Sequence, residues 1–292
     1  MNMEKIQLLI EALPYIKEFH GTTMVVKIGG HAMVNDRILE DTIKDIVLLH
    51  LIGIKPVVVH GGGPEISEKM ERLGLKPKFV EGLRVTDKET LEVVEMVLDG
   101  KINSKIVTTF IKHGAKAVGI SGKDGLLIVA RKKEMKMKRG DEEVIIDLGF
   151  VGETEYVNPE ILKILLENGF IPVVSPIATD LAGNTYNLNA DIVAGDIAAA
   201  LRAKKLIMLT DVPGILKDLK DKTSLISCIK LKELVEMVEK GLITGGMKPK
   251  VEAVIRALRG GVEKAHIIDG SKPHAILLEL FTKEGIGTVV EP

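Results

Sequence analysis

Short β-branched runs that end in glycine, each followed by an amphipathic stretch, restrict this chain more than any other feature. The clearest case is Lys55 to Ile66, KPVVVHGGGPEI. Val57, Val58 and Val59 suit a strand covered on both faces in a parallel sheet. Gly61, Gly62 and Gly63 lack a Cβ, so bare amides can approach a ligand, and Pro64 fits a first helical position. Amides and dipole at such a helix start attract carboxylate or phosphate, although a plain tight turn explains three glycines as well. The run Met24–Ile28 also ends in glycines, Gly29 and Gly30, and carries Lys27 among apolar residues. Two glycine-tipped strands are therefore expected to face one pocket.

The pattern repeats along the chain. Strands are expected at Ala115–Ile120, Ile171–Ser175, Leu206–Leu209, Ala265–Ile268 and Thr288–Val290. Helices are expected at Lys5–Phe19, Asp36–Ile52, Lys101–His113, Pro159–Asn168, Ala190–Ala203, Lys232–Lys240, Lys248–Arg259 and around His274–Phe281. This alternation predicts an α/β fold with a mostly parallel central sheet and helices on both faces. Thr86 and Glu89 read as a capping box before an apolar stripe. Leu126–Val129 and Val144–Asp147 read as a hairpin, with KKEMKMKRGDEE as an exposed loop between them. A change near Pro176–Asn184 divides two lobes of one continuous sheet.

The 292 residues hold 40 basic and 41 acidic side chains, a net charge of −1, which gives no support to a nucleic-acid partner. No apolar run reaches the roughly 18 residues of a membrane span, and the charged start lacks a signal peptide's apolar core. A cytoplasmic protein is expected. The one cysteine, Cys228, excludes an internal disulfide and reads as a small packed side chain.

Neither G-x-x-x-x-G-K-[ST] nor G-x-G-x-x-G occurs, so a phosphate site here is built differently. Lys27 within an apolar strand needs a partner or a route to water. Lys250, beyond Gly245 and Gly246, is either a phosphate ligand or an exposed helix lysine. Asp191 is either a helix N-terminal charge or the group that orients both lysines. Arg84, ahead of a helix start, is either a surface residue or a bidentate carboxylate clamp. Asn187 and Asn189 fit turns or caps equally well.

The set KIGGHA, VVVHGGGPEI, GLRVTD, NLNADIVA, LTDVPGIL and ITGGMKPKV, in this order, resembles the amino acid kinase family and, within it, the acetylglutamate kinases. The resemblance runs from Met24 to the carboxyl end. It implies an open αβα sandwich whose amino-terminal lobe, about 22–176, holds N-acetyl-L-glutamate. The carboxyl-terminal lobe, about 177–292, would hold ATP with Mg²⁺, and residues 1–21 would form a separate helix. The implied reaction makes the γ-acyl phosphate, the second step of arginine synthesis. By motif, Lys27 and Lys250 would stabilise the phosphoryl group in flight and Asp191 would organise them. Gly62, Gly63, Arg84 and Asn187 would bind the substrate, and Gly29 and Gly30 would line the phosphate path. The nucleotide would lie along Asp211, Val212, Pro213, Gly214, Ile215 and Leu216, with Leu242, Ile243 and Thr244 nearby. No protein-held metal set is implied.

The leading helix with Tyr15 and Phe19, together with AHIIDGSKPHAILLELFTKEGIGT, is similar to the arginine-inhibited branch, which forms hexamers as rings of dimers. His266, Glu279 and Gly285 match its effector motif, while Ser271 stands where the common form has Arg. That helix carries Ile6, Leu9, Ile10, Leu13 and Ile16 as an apolar stripe, which packs on its own domain or on a neighbouring subunit. Two other readings compete: a kinase for another acidic amino acid or its carrier-bound form, and a ligand-binding module that keeps the fold without catalysis. Lys27, Asp191 and Lys250 together favour catalysis.

Overall fold

The computed structural model describes residues 3–30, 33, 35–139, 142–218, 221, 223–282 and 285–292. Helix α1 (Met3–Phe19) precedes β1 (Thr23–Ile28), α2 (Asp36–Leu51), β2 (Lys55–His60) and α3 (Gly63–Arg72). Two short strands, β3 (Phe79–Val80) and β4 (Leu83–Arg84), lead to α4 (Lys88–Glu95). That helix continues through a π-helical stretch, Met96–Ile102, into α5 (Asn103–Lys112) and then β5 (Ala117–Ser121). The strands β6 (Ile128–Arg139) and β7 (Glu142–Val157) form a long hairpin, followed by α6 (Glu160–Glu167), β8 (Ile171–Ser175), β9 (Ile177–Thr179) and β10 (Thr185–Asn187). The carboxyl-terminal half runs α7 (Ala190–Leu201), β11 (Lys205–Thr210), β12 (Cys228–Lys230), α8 (Leu231–Glu239), α9 (Met247–Arg259), β13 (Lys264–Asp269), α10 (Ala275–Phe281) and β14 (Thr288–Glu291).

One eight-stranded sheet, in the order β12-β14-β13-β11-β1-β2-β8-β5, organises the molecule. Its pairings are parallel except that of β13 with β14. Strand β1 lies between β2 and β11, so the chain builds outward on one side and returns to build on the other. The carboxyl ends of these strands form the switch point at which open α/β sheets bind ligands.

Apolar runs without polar alternation follow from two-sided burial. Val25, Val57, Val59, Leu206 and Met208 enter one core, while Met24, Val26, Ile28, Val58, Ile207 and Leu209 enter the other. Lys27 points to the first of these faces, in register with Val59 and Met208. There α7 packs closely on α9, because Gly195 has no side chain where Ala253 passes. A helix of small residues thus lets two backbones approach.

Several expectations need correction. The charged run after Arg131 is strand: Glu134 pairs with Asp147, Met135 with Ile146 and Lys136 with Ile145, while residues 140 and 141 lie outside the description. Its charges hid a pairing that cross-strand ion pairs such as Lys132 Nζ–Asp147 Oδ1, 2.8 Å, help to hold. Strands β6, β7, β9 and β10 close into a small barrel beside the main sheet, which short runs without clear alternation did not announce. Asp87, not Thr86, caps α4, its Oδ1 accepting from Thr90 N at 2.9 Å. Thr86 is unable to do so because its backbone is paired with Leu148 and Phe150 of β7. Cys228 is exposed rather than packed, since it sits on an edge strand. Among the described residues no helix is long and apolar enough to cross a membrane.

Candidate active site

The turn after β2 forms one wall of a cavity of about 190 Å³ lined by Gly61, Gly62, Gly63, Arg84, Asn187 and Ala190, with Ile66, Leu98 and Val151 as apolar lining. Gly62 precedes α3 in extended backbone, φ 166°, which any residue adopts, so glycine is required there for another reason. A Cβ would press on Leu98 Cδ2 at 2.7 Å and run into Ile102, both on the π-helical stretch. Gly63, by contrast, faces open space.

Arg84 reaches this turn from β4. Its Nη2 donates to Gly63 O and to Ser67 Oγ, each at 2.8 Å, and its guanidinium lies 4.7 Å from the Phe79 ring centroid. Burial pulls its pKa below the ordinary arginine value, but a guanidinium stays charged. The result is a fixed positive charge at a helix N-terminus, suited to a carboxylate. Asn187 on β10 donates from Nδ2 to Thr86 Oγ1 at 3.3 Å, and Thr86 Oγ1 donates to Arg84 O at 3.0 Å. Arg84 and Asn187, far apart in sequence, are thus braced through one hydroxyl.

Asp191 lies behind Ala190 at the start of α7, where Asn189 caps the helix by accepting from Asp191 N at 2.9 Å and Ile192 N at 3.2 Å. Its two oxygens meet two ammonium groups: Lys27 Nζ stands 2.7 Å from Oδ1 and Lys250 Nζ 2.9 Å from Oδ2. Both contacts are close ion pairs, and Lys250 Nζ also donates a hydrogen bond to Oδ2. Burial, the largest influence, pushes the Asp191 pKa up, but the charges and bonds of both lysines outweigh it and hold the carboxyl below its usual range. Lys27 thus has the partner that its burial demanded. Gly29 leaves room for it, since a Cβ there would overlap the Lys27 ammonium.

Lys250 also lines a second cavity, of about 330 Å³, with Asp211, Val212, Gly214, Ile215, Leu216, Leu242, Ile243 and Thr244. Pro213 is the member of its run that does not line it. Gly30, at φ 59°, lies against the Asp211 carboxylate, and a Cβ on it would overlap that group. Gly29 and Gly30 thus line neither cavity; they let Lys27 and Asp211 close in between. The apolar lining of Ile215, Leu216 and Leu242 suits a flat ring, and Lys250 at the inner end suits a phosphate. Among the described residues no group of three His, Cys, Asp or Glu is placed to hold a metal.

Some groups that shape the site had no signal in the sequence. Thr288, on the last strand, accepts from Ile215 N at 2.8 Å and fixes the loop of the second cavity. His60 and Asn103 are buried behind the glycine turn, with His60 Nε2 3.2 Å from Asn103 Nδ2. The run VVVHGGG offered a weak hint of His60; nothing singled out Asn103, whose helix meets the turn only in three dimensions.

His266, Glu279 and Gly285 do come together, away from both cavities. His266 Nδ1 lies 2.7 Å from Glu279 Oε1, and Glu279 Oε2 accepts from Ile286 N at 2.7 Å and Gly287 N at 3.2 Å. Gly285 adopts φ 63° beside the same carboxylate. Lys205, not foreseen, stands 3.1 Å from His266 Nε2 and 5.1 Å from the Phe19 ring centroid. Burial first, and then the charge of Lys264, push the Lys205 pKa down to about 8. Phe281 meets Tyr15 and Phe19 at 6.1 and 6.4 Å between centroids, so α1 docks beside this cluster. Ile10 and Leu13 of its stripe remain exposed; the side chains of Ile6 and Leu9 lie outside the description.

Residues 22–269 match the amino acid kinase family. An acetylglutamate kinase of Archaeoglobus fulgidus is 82% identical over 290 residues, covering 99% of this chain and 100% of that protein. Among solved structures, the N-acetylglutamate synthase of Neisseria gonorrhoeae complexed with coenzyme A and N-acetyl-glutamate superposes with a TM-score of 0.83 at 27% identity, over 98% of this chain and 63% of that one. Its complex with coenzyme A and L-arginine gives a TM-score of 0.79 at 26% identity, over 98% of this chain and 65% of that one.

Proposed function

The chain belongs to the amino acid kinase family, and from that premise we propose that it transfers the γ-phosphoryl group of ATP to the γ-carboxylate of N-acetyl-L-glutamate, an arginine-synthesis step. The observation that carries the reading is the Lys27–Asp191–Lys250 ion group: Ala190, the residue before Asp191, lines the cavity of Arg84 and Asn187, and Lys250 lines the second cavity. In this reading the acetylated substrate lies in the first cavity, a carboxylate on Arg84, and the nucleotide lies in the second.

The acceptor is already a carboxylate, so no general base is needed. Catalysis reduces to alignment of acceptor oxygen and phosphorus and to stabilisation of charge on the transferring group. Lys27 and Lys250 supply that stabilisation from fixed positions, since Asp191 prevents the like charges from separating. In the same reading the amides of Gly62 and Gly63, which line the first cavity, bind the substrate. Mg²⁺, carried in by the phosphates, would neutralise charge on the leaving diphosphate.

We further infer that L-arginine regulates the enzyme at the His266–Glu279–Gly285 cluster, and that the exposed stripe of α1 joins dimers into a hexamer in the cytoplasm. The support is the docking of α1 beside that cluster and the apolar surface of Ile10 and Leu13.

A coupled ATPase assay with and without N-acetyl-L-glutamate, with hydroxylamine to trap the acyl phosphate as a hydroxamate, tests the reaction. ATP consumption and hydroxamate that both depend on N-acetyl-L-glutamate are expected. Stronger turnover of another acidic amino acid would reassign the substrate, and no turnover of any would leave a binding module.

A further inference from the structure

His60 ends β2 without exposed surface, directly before the glycine turn. Its Nδ1 lies 3.0 Å from Gly61 O and its Nε2 lies 3.2 Å from Asn103 Nδ2. A carbonyl oxygen only accepts, so Nδ1 carries the proton and Nε2 accepts from the amide. Asn103 Nδ2 gives its other hydrogen to Val173 O at 2.9 Å, so its amide cannot turn over without losing both bonds. Burial first, opposed by the Gly61 carbonyl bond and aided by the Lys27 charge, pushes the His60 pKa down to about 4. A neutral imidazole with one tautomer is the result.

A trans peptide is planar, and its C=O and following N–H point opposite ways. With Gly61 O turned to the buried imidazole, the Gly62 N–H is aimed away from His60, and Gly62 itself lines the cavity. That amide donates to no group among the described residues. An apolar side chain would fill the same volume without the cost of burying two ring nitrogens. The turn needs direction as well as packing.

We propose that His60, held by Asn103, is a positioning residue that locks the Gly61–Gly62 peptide so that the Gly62 amide meets the oxygen on which negative charge grows during transfer. This rests on the phosphoryl-transfer reading and adds a residue to it that touches neither substrate.

The test compares His60→Leu with His60→Asn in the full chain, because an Asn amide nitrogen reproduces the donor at the Nδ1 position. His60→Leu should lower kcat about 10²-fold with KM for both substrates within about threefold, and His60→Asn should recover to within about tenfold of the parent. Nitrogen NMR of the parent imidazole should show the Nδ1-protonated tautomer between about pH 6 and 8. Unchanged kcat in His60→Leu, equal losses in both variants, or the Nε2-protonated tautomer would overturn the proposal. Should His60→Leu fail to fold, the tautomer in the parent protein still decides. A parent protein with no N-acetyl-L-glutamate-dependent turnover but the expected tautomer would instead sink the reaction and leave this bond pattern standing.

Discussion

Gly195 passes so close to Ala253 that a Cβ built on it would stand 2.5 Å from the Ala253 carbonyl oxygen. The contact sets the separation of α7 and α9, and with it the reach of Lys250 to Asp191. Gly195→Ala should force the helices apart, destabilise the fold by about 1–3 kcal/mol and lower kcat as well. Urea unfolding and steady-state kinetics on one preparation check both; a variant as stable and as active as the parent would mean that the contact sets neither.

Lys27→Met and Lys250→Met each remove one ammonium from beside the Asp191 carboxylate while keeping most of the unbranched side chain. Each should reduce kcat by about 10²-fold or more while KM moves far less. Near-normal kcat in both would remove the two lysines from the transfer step.

Arg84→Lys keeps a positive charge but loses the planar guanidinium whose Nη2 bonds both Gly63 O and Ser67 Oγ. KM for N-acetyl-L-glutamate should rise roughly tenfold or more, with that for ATP little changed. A larger effect on ATP would exchange the two cavities.

Asp45 of α2 is fully buried, bonded to His274 Nδ1 at 2.6 Å beside the start of α10, and burial raises its pKa to about 6 despite that bond. A carboxyl whose folded pKa exceeds its unfolded value binds its proton more tightly in the fold. Its contribution is therefore present below about pH 4 and lost as pH rises through about 6, a change of up to about 3 kcal/mol. Asp45→Asn should flatten stability between about pH 4 and 6; urea midpoints across that range, with an unchanged slope in the variant, would show that another group titrates there.

Deletion of residues 1–20 removes Tyr15 and Phe19 from Phe281 and the Ile10–Leu13 surface from any neighbour. Sedimentation should show dimers in place of hexamers, and arginine inhibition should weaken while turnover persists. An intact hexamer with an unchanged arginine response would assign both properties elsewhere.

The order of strands and helices was legible because two-sided burial writes itself as unbroken apolar runs; Val57 to Val59 and Leu206 to Leu209 needed no further context. Lys27 was legible for the opposite reason, a charge where only apolar residues belong. The clamp proposed for Arg84 was one of two readings open in the sequence, and the role proposed for Asn187 came from resemblance, since the hydroxyl of Thr86 that braces them is visible only once β4, β7 and β10 meet. Local rules failed where a long-range pairing took the same residues: Thr86 lost its cap to β7, and the charges after Arg131 were read as a loop although they pair across a hairpin. Lys205, Thr288 and Asn103 act through partners remote in sequence, and no spacing announces such bonds.

The π-helical stretch Met96–Ile102 gives the chain a winding requirement that no single side chain expresses. An α-helix advances about 100° per residue and a π-turn, with its one extra residue, advances less, so rewinding this stretch as ordinary α-helix with the same number of residues would rotate everything downstream by roughly 100°. Leu98 would keep its place under Gly62, but Asn103 would swing off His60 and the face that seats Phe110 in the core would turn with it. A one-residue deletion there lets the stretch return to ordinary winding with Asn103 still on His60, so it should cost less stability than the same deletion within α5, which thermal unfolding can measure. The looser winding between Glu95 and Asn103 is thus itself a functional quantity: it sets the angle at which one half of a helix addresses the turn and the other half addresses the sheet.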